Sequence, residues 1–300
     1  MRVGLQVSSF TWDGAPETTG ATWRRIARDA DDAGLASLWV MDHFFQIPVI
    51  GPPELDMLEA YTTLAHAAAV TRRIELGTLV TGVTYRHPGI LLKTVTTLDV
   101  LSGGRAWLGI GAAWSEEEHQ GLGVPYPPTR ERFRLLEDTL RLARQMFADD
   151  DSAFDGEVLH LDRPLNHPRP VRRPPIMVGG GGEKRTLRLV AQYADACNLF
   201  DTGLGPDGIP RKLQVLRAHC EDVGRDYDEI GKSVLTRLTL GVSGREAPDG
   251  SLEHSVDQAV DRLGRLGDAG IDHVILGMAN DTSPAAYALI AEVLRQLDQP

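Results

Sequence analysis

Eight times along the chain a short apolar run gives way, after a turn, to a stretch with helical spacing. The runs are residues 2–8, 37–41, 74–80, 105–110, 175–178, 196–199, 233–242 and 273–276. Parallel strands buried on both faces read as continuous apolar runs, and joining them requires helical crossovers. Eight such units predict an α/β fold, a (β/α)8 TIM barrel made by residues 1–300 as one domain. An open doubly wound sheet is the competing architecture, and it ordinarily uses fewer strands. The length suits a barrel, since these often reach roughly 250 residues or more as one domain.

The turn chemistry agrees with that rhythm. Gly34 is placed to close a helix over residues 22–33, and Pro88 to open one that Ser102-Gly103-Gly104 ends near residue 101. Further helices are expected at 57–72, 183–193, 210–223, 255–266 and 285–297. A strongly amphipathic one is expected at 130–147, where Leu135, Leu136, Thr139, Leu140, Leu142, Ala143 and Met146 share a face. Residues 149–174 break the alternation, first acidic and then rich in Pro and Arg, and read as an insertion before strand five.

Composition narrows the chemistry. The chain has 31 Lys and Arg against 42 Asp and Glu, a net of −11, which argues against a nucleic-acid surface. Its two cysteines, Cys197 and Cys220, lack CxxC spacing, so zinc and disulfide frameworks are not expected and a reducing compartment fits. The N-terminus lacks the pattern of a signal peptide, and no apolar run approaches a membrane span. A cytoplasmic protein with no membrane partner is expected. HExxH and nucleophile-elbow signatures are missing, and Glu118-His119 and His87 are read as isolated on loops, so no metal is expected.

In a barrel every strand's carboxyl end faces one mouth, where ligands bind. The second strand runs directly into Asp42-His43, which makes that pair a site candidate; a helix cap beside a packed histidine is the plain alternative. The same mouth would gather Leu79, Val80 and Thr81 from strand three, Gly111 and Trp114 from strand four, and Asn198 from strand six. Strand five contributes Gly179-Gly180-Gly181-Gly182. Four glycines between a strand and a helix let backbone N–H groups approach an anion, with Arg185 to add charge. A flexible connector is the alternative. A phosphate-anchored cofactor beside an Asp-His pair suggests redox chemistry on a bound ring.

These residues fall in runs that resemble a known family. Met41-Asp42-His43-Phe44, Leu76-Gly77-Thr78-Leu79-Val80-Thr81-Gly82, Tyr85-Arg86-His87-Pro88, Gly109-Ile110-Gly111-Ala112-Ala113-Trp114 with Glu118-His119, and Pro175 through Leu187 resemble the luciferase-like monooxygenase superfamily. The likeness is greatest to its branch dependent on the deazaflavin coenzyme F420. It implies His43 as proton donor or acceptor, oriented by Asp42. It implies a bulge with a non-prolyl cis peptide near Leu79-Val80 behind the ring. Cofactor contacts would come from Leu79, Val80, Thr81, Gly111, Ala112, Ala113, Gly179–Gly182, Arg185 and Asn198. Phe44, Phe45, His87 and Trp114 would shape the substrate side. Sugar-phosphate dehydrogenases of this branch carry an acid where this chain has Ala112, so sugar-phosphate oxidation is not expected. The function implied is hydride transfer between F420 and a small organic substrate, in a homodimer. An FMN-dependent monooxygenase and a non-catalytic deazaflavin-binding protein are the alternatives.

Overall fold

Strand β1 (Arg2–Val7) pairs in parallel with β2 (Ser37–Asp42) on one side and with the last strand on the other, so the sheet closes on itself. The computed structural model describes residues 1–201 and 208–297. After β1 the chain forms α1 (Thr19–Asp32), and after β2 comes α2 (Ala60–Val70). Next are β3 (Glu75–Gly82), α3 (Pro88–Ser102), β4 (Leu108–Gly111), the short α4 (Glu116–Leu122) and α5 (Thr129–Phe147). Residues 149–174 hold a two-stranded antiparallel ribbon, β5 (Phe154–Asp155) with β6 (His160–Leu161). Then follow β7 (Ile176–Gly179), α6 (Thr186–Tyr193), β8 (Ala196–Phe200) and α7 (Gly208–Val223). The described chain ends with β9 (Gly231–Arg237), α8 (Val256–Asp268), β10 (His273–Gly277) and α9 (Pro284–Leu297). The barrel order is β1-β10-β9-β8-β7-β4-β3-β2, every pair parallel, as the eight-unit rhythm predicts.

Two apolar layers hold it. The larger lies between strands and helices and draws on buried Leu5, Trp23, Leu38, Leu64, Leu92, Leu140 and Ile290, among others. The smaller plugs the barrel with Trp39, Leu79, Trp107, Met177, Ala196 and Ile275. Trp39 and Trp107 meet edge to face at 5.8 Å. Gly77 makes room for them, because a Cβ there would lie 2.5 Å from the Trp39 ring.

Several boundaries shift from the sequence reading. Helix α2 starts at Ala60 rather than near 57, because Glu59 caps it by accepting from the Thr62 N–H at 2.7 Å. Strand β4 begins at Leu108, not 105. Arg105 is instead a buried brace whose guanidinium donates to the carbonyls of Ala68, Thr71, Ile74 and Ser102. Helix α6 begins at Thr186, which puts Arg185 at its N-cap rather than inside it. Gly34 has φ +89, the left-handed closure expected for α1. No helix among the described residues is long and apolar enough to cross a membrane.

Candidate active site

Strand β2 is buried along its whole length and delivers Asp42 and His43 to the carboxyl-end mouth. The two side chains part company there. Asp42 is 1% exposed and takes a two-pronged contact from Arg86, Nη1 to Oδ2 at 2.6 Å and Nη2 to Oδ1 at 3.0 Å. Burial pushes the Asp42 carboxyl up, and the Arg86 guanidinium opposes it; the fork-to-fork geometry is that of an ion pair. Arg86 also reaches Glu59 and lies over the Tyr61 ring at 4.8 Å. Asp42 therefore anchors the loop after β3, and the expected orientation of His43 by Asp42 is corrected.

Glu118 takes that role. Its Oε2 lies 2.7 Å from His43 Nδ1 and accepts the Tyr85 hydroxyl at 2.7 Å. Its Oε1 accepts the backbone N–H of Phe44 and of Phe45 at 2.5 and 3.1 Å. Burial opposes ionisation, but the His43 and Tyr85 hydrogen bonds outweigh it and hold the Glu118 carboxyl down at about 2. A carboxylate can only accept, so Nδ1 carries a proton and the free lone pair of a neutral His43 is on Nε2. The helix bearing Glu118 was expected to be loop: EEEHQGL has no apolar stripe, and only its place in a family-like run marked it.

Because the folded Glu118 pKa lies below the unfolded value near 4.5, its contacts contribute stability present above about pH 4.5 and lost as pH falls toward 2. Glu118→Gln should therefore destabilise the protein by about 2–3 kcal/mol at pH 7, with the difference shrinking as the pH approaches 2. Urea denaturation across that range reads it; a difference independent of pH would contradict the ionised, hydrogen-bonded state.

Aromatic rings wall the mouth around His43. Trp114, 58% exposed, meets the imidazole edge-on at 5.2 Å, and Tyr85 meets it at 6.5 Å. Phe44 packs on Tyr85 at 5.2 Å. Phe45 turns instead to α4, where a Cβ on Gly121 would strike its ring at 2.7 Å. His87 is exposed and accepts from the Gly89 N–H at 3.3 Å as the cap of α3, and among the described residues nothing ties it to His43.

Across the mouth, Leu79-Val80 is a cis peptide, at the position the resemblance implied. The Leu79 carbonyl accepts from buried Gln6 Nε2 at 3.1 Å. The Thr81 hydroxyl points inward to Tyr61 and Thr78 at 2.7 and 2.9 Å. Gly111 and Gly179 give their space to Val80, since a Cβ on either would come within 3.1 or 2.9 Å of it. Ala112 offers its carbonyl to Arg132 Nε at 3.0 Å, and Ala113 has φ +60, an uncommon backbone for alanine that sets the course into Trp114. Buried Asn198 donates from its side-chain amide to the Ser233 hydroxyl at 3.0 Å, and its backbone carbonyl accepts the Gly180 N–H at 3.0 Å. Gly180 has φ +110. The N–H groups of Gly181 and Gly182 meet no acceptor among the described residues. Arg185 is exposed, with its guanidinium 5.5 Å from the Phe133 ring.

The sequence profile of the luciferase-like monooxygenase family matches residues 1–291. An F420-dependent glucose-6-phosphate dehydrogenase of Kineococcus radiotolerans is 32% identical over 235 residues, 77% of this chain and 66% of that protein. The chain thus spans just short of two thirds of that relative's length. Among solved structures, the monooxygenase RslO1 of Streptomyces bottropensis superposes with TM-score 0.82 at 19% identity, covering 99% of each chain. The coenzyme F420-dependent tetrahydromethanopterin reductase of Methanopyrus kandleri gives 0.79 at 17%, covering 99% of this chain and 100% of the other. At these identities the superpositions establish the fold.

Proposed function

The chain belongs to the luciferase-like monooxygenase family, and from that premise we propose an oxidoreductase that works with coenzyme F420 on a small organic substrate. The observation that carries it is the His43–Glu118 pair at the barrel mouth, an imidazole held with one nitrogen spent and the other free. The dehydrogenase relative is named for F420, which supports that cofactor over FMN here.

The residues fit such a group. Gly180 has the positive φ of a phosphate-cradling turn, Gly181 and Gly182 keep donors to spare, and a Cβ on Gly181 would find nothing nearer than 3.6 Å. Gly181 and Gly182 would hold the phosphate, and the Leu79-Val80 bulge would back the ring. When bound, the deazaflavin supplies a carbon that gives or takes a hydride. His43 handles the accompanying proton at Nε2. The Glu118 carboxylate fixes the imidazole and stabilises it when it is protonated. Tyr85 shares Oε2 with His43 and keeps that carboxylate from rotating. Phe44 and Trp114 shield the substrate from water. Ala112 offers no acid, so His43 carries the proton step without a second carboxyl, and sugar phosphates are not the proposed substrates.

Equilibrium titration of the protein with F420 and with FMN tests the reading. Tighter binding of F420, followed by bleaching of its absorbance with an oxidisable small alcohol, is the expected result. Preference for FMN, with substrate-dependent oxygen consumption when the flavin is supplied reduced, would replace it by the monooxygenase reading. Tight F420 binding without turnover on a broad panel would favour a binding protein.

A further inference from the structure

Strand residues alternate between the two faces of a sheet, and β9 divides in that way. Ser233 accepts from Asn198 inside the barrel and Leu235 packs on the apolar plug, whereas Thr236 turns outward to Asp201 and Arg262. Arg237, the last residue of β9, therefore falls on the inner face at the mouth, and it is exposed. Its stem passes Gly277 at the end of β10, where a Cβ would lie 3.9 Å from Arg237 Cγ. Its Nη2 makes one long hydrogen bond, 3.3 Å to the Val49 carbonyl. Val49 belongs to the loop that leaves His43, and Gln46 in that loop donates to the Ser8 carbonyl beyond β1 at 3.0 Å. The loop thus leads from the imidazole, over the end of β1, to the guanidinium.

Among the described residues no carboxylate forms an ion pair with Arg237, and most of its N–H donors are unused. Asp249 in the following loop feels its charge, but that carboxylate accepts from the Ser251 N–H and hydroxyl at 3.1 and 2.6 Å. The other acids at strand ends are occupied or shielded. Asp42 is paired with Arg86 and Asp201 with Arg262, and Glu118 is enclosed by His43, Tyr85 and two backbone N–H groups. Asp281, after β10, is buried, and burial alone pushes its carboxyl up to about 7. The rim beside the cation is apolar. Phe200 ends β8 with its backbone opposite Leu235, Trp114 meets the His43 ring, and both are exposed.

We propose that Arg237 recognises the substrate, and that the substrate is a hydroxy acid with an apolar body, its carboxylate on Arg237 and its carbinol facing His43 Nε2. The assignment rests on the cofactor reading above. A guanidinium offers a planar fork that matches a carboxylate with two parallel hydrogen bonds, a better partner than the single Val49 carbonyl it now reaches. Phe200 and Trp114 would cover the apolar body. In the reaction the carbinol carbon gives a hydride to the oxidised deazaflavin, and the hydroxyl proton passes to His43 Nε2. The C–O bond becomes the carbonyl of a keto acid. Both electrons leave with the hydride, so no further oxidant is needed.

The test loads the full chain with F420 and titrates two unreactive pairs, benzoate with benzamide and hexanoate with hexanamide, reading deazaflavin fluorescence. The wild-type protein should bind each acid about 10- to 100-fold more tightly than its amide. Arg237→Leu should bring that ratio to about one, and Arg237→Lys, which keeps the charge without the fork, should fall between. Both variants should hold F420 as the wild type does, which also reports an intact barrel. A wild-type ratio near one, no binding of either acid, or a preference that survives in Arg237→Leu would overturn the assignment while leaving F420 as the cofactor. Equal weakening of acid and amide in Arg237→Leu would make Arg237 a strut for the Val49 loop, and weakened F420 binding would make it a cofactor ligand; either result overturns the assignment. Failure of the wild-type chain to bind F420 at all would overturn the cofactor reading, and the assignment with it.

Discussion

The His43→Ala protein is expected to lose about 10²- to 10⁴-fold in kcat while holding F420 within about threefold of wild type. The size follows from what the imidazole does. Nδ1 is committed to Glu118, whose carboxyl stays ionised down to about pH 2, leaving Nε2 as the one position on the ring that can take or give a proton toward the mouth. Ala112 stands where the resemblance to sugar-phosphate dehydrogenases of the F420 branch implies an acid, so no carboxyl is supplied there. Stopped-flow measurement of deazaflavin absorbance separates binding from turnover. Full turnover by the variant would remove His43 from the proton step, whereas lost cofactor binding would make it a cofactor ligand.

Arg86→Met should cost about 3–5 kcal/mol of stability, the second large effect. The guanidinium joins Asp42, which is 1% exposed, to Glu59 and covers the Tyr61 ring, so its removal strands a carboxylate in the protein interior. Breaking one side of a buried ion pair is far costlier than replacing both sides. Arg86→Met combined with Asp42→Leu should therefore recover most of the loss. Urea denaturation of the two variants checks this, and a single-variant cost below about 1 kcal/mol would show that the pair is not a fixed ion pair.

The architecture was legible because buried parallel strands must be apolar and the turns between them must carry Gly, Pro or caps. That logic located all eight barrel strands, and it located Gly34 and Pro88 at the helix ends they occupy. It misjudged ends where an apolar pattern outran the hydrogen bonds, as at Met57 and Leu58 ahead of the Glu59 cap. The site was legible only in its local parts. His43, Trp114 and the glycine turn announce themselves by residue type and by their place at strand ends. Their partners do not, since Glu118 is 75 residues from His43 and Arg86 is 44 from Asp42. Asp42 looked like the companion of His43 because it is adjacent, yet β2 ends at Asp42 and its carboxylate is taken by Arg86. His87 misled in a similar way, its polar ring being used to cap α3.

A crystal structure of the protein with F420 bound decides where the cofactor lies relative to His43. The phosphate is expected on the Gly181 and Gly182 N–H groups, the ring backed by Leu79-Val80, and His43 Nε2 within about 4 Å of the substrate side of the reactive carbon. A ring bound with His43 remote from it, or a phosphate seated away from the glycine turn, would rule out His43 as the proton-handling group or the glycine turn as the phosphate site.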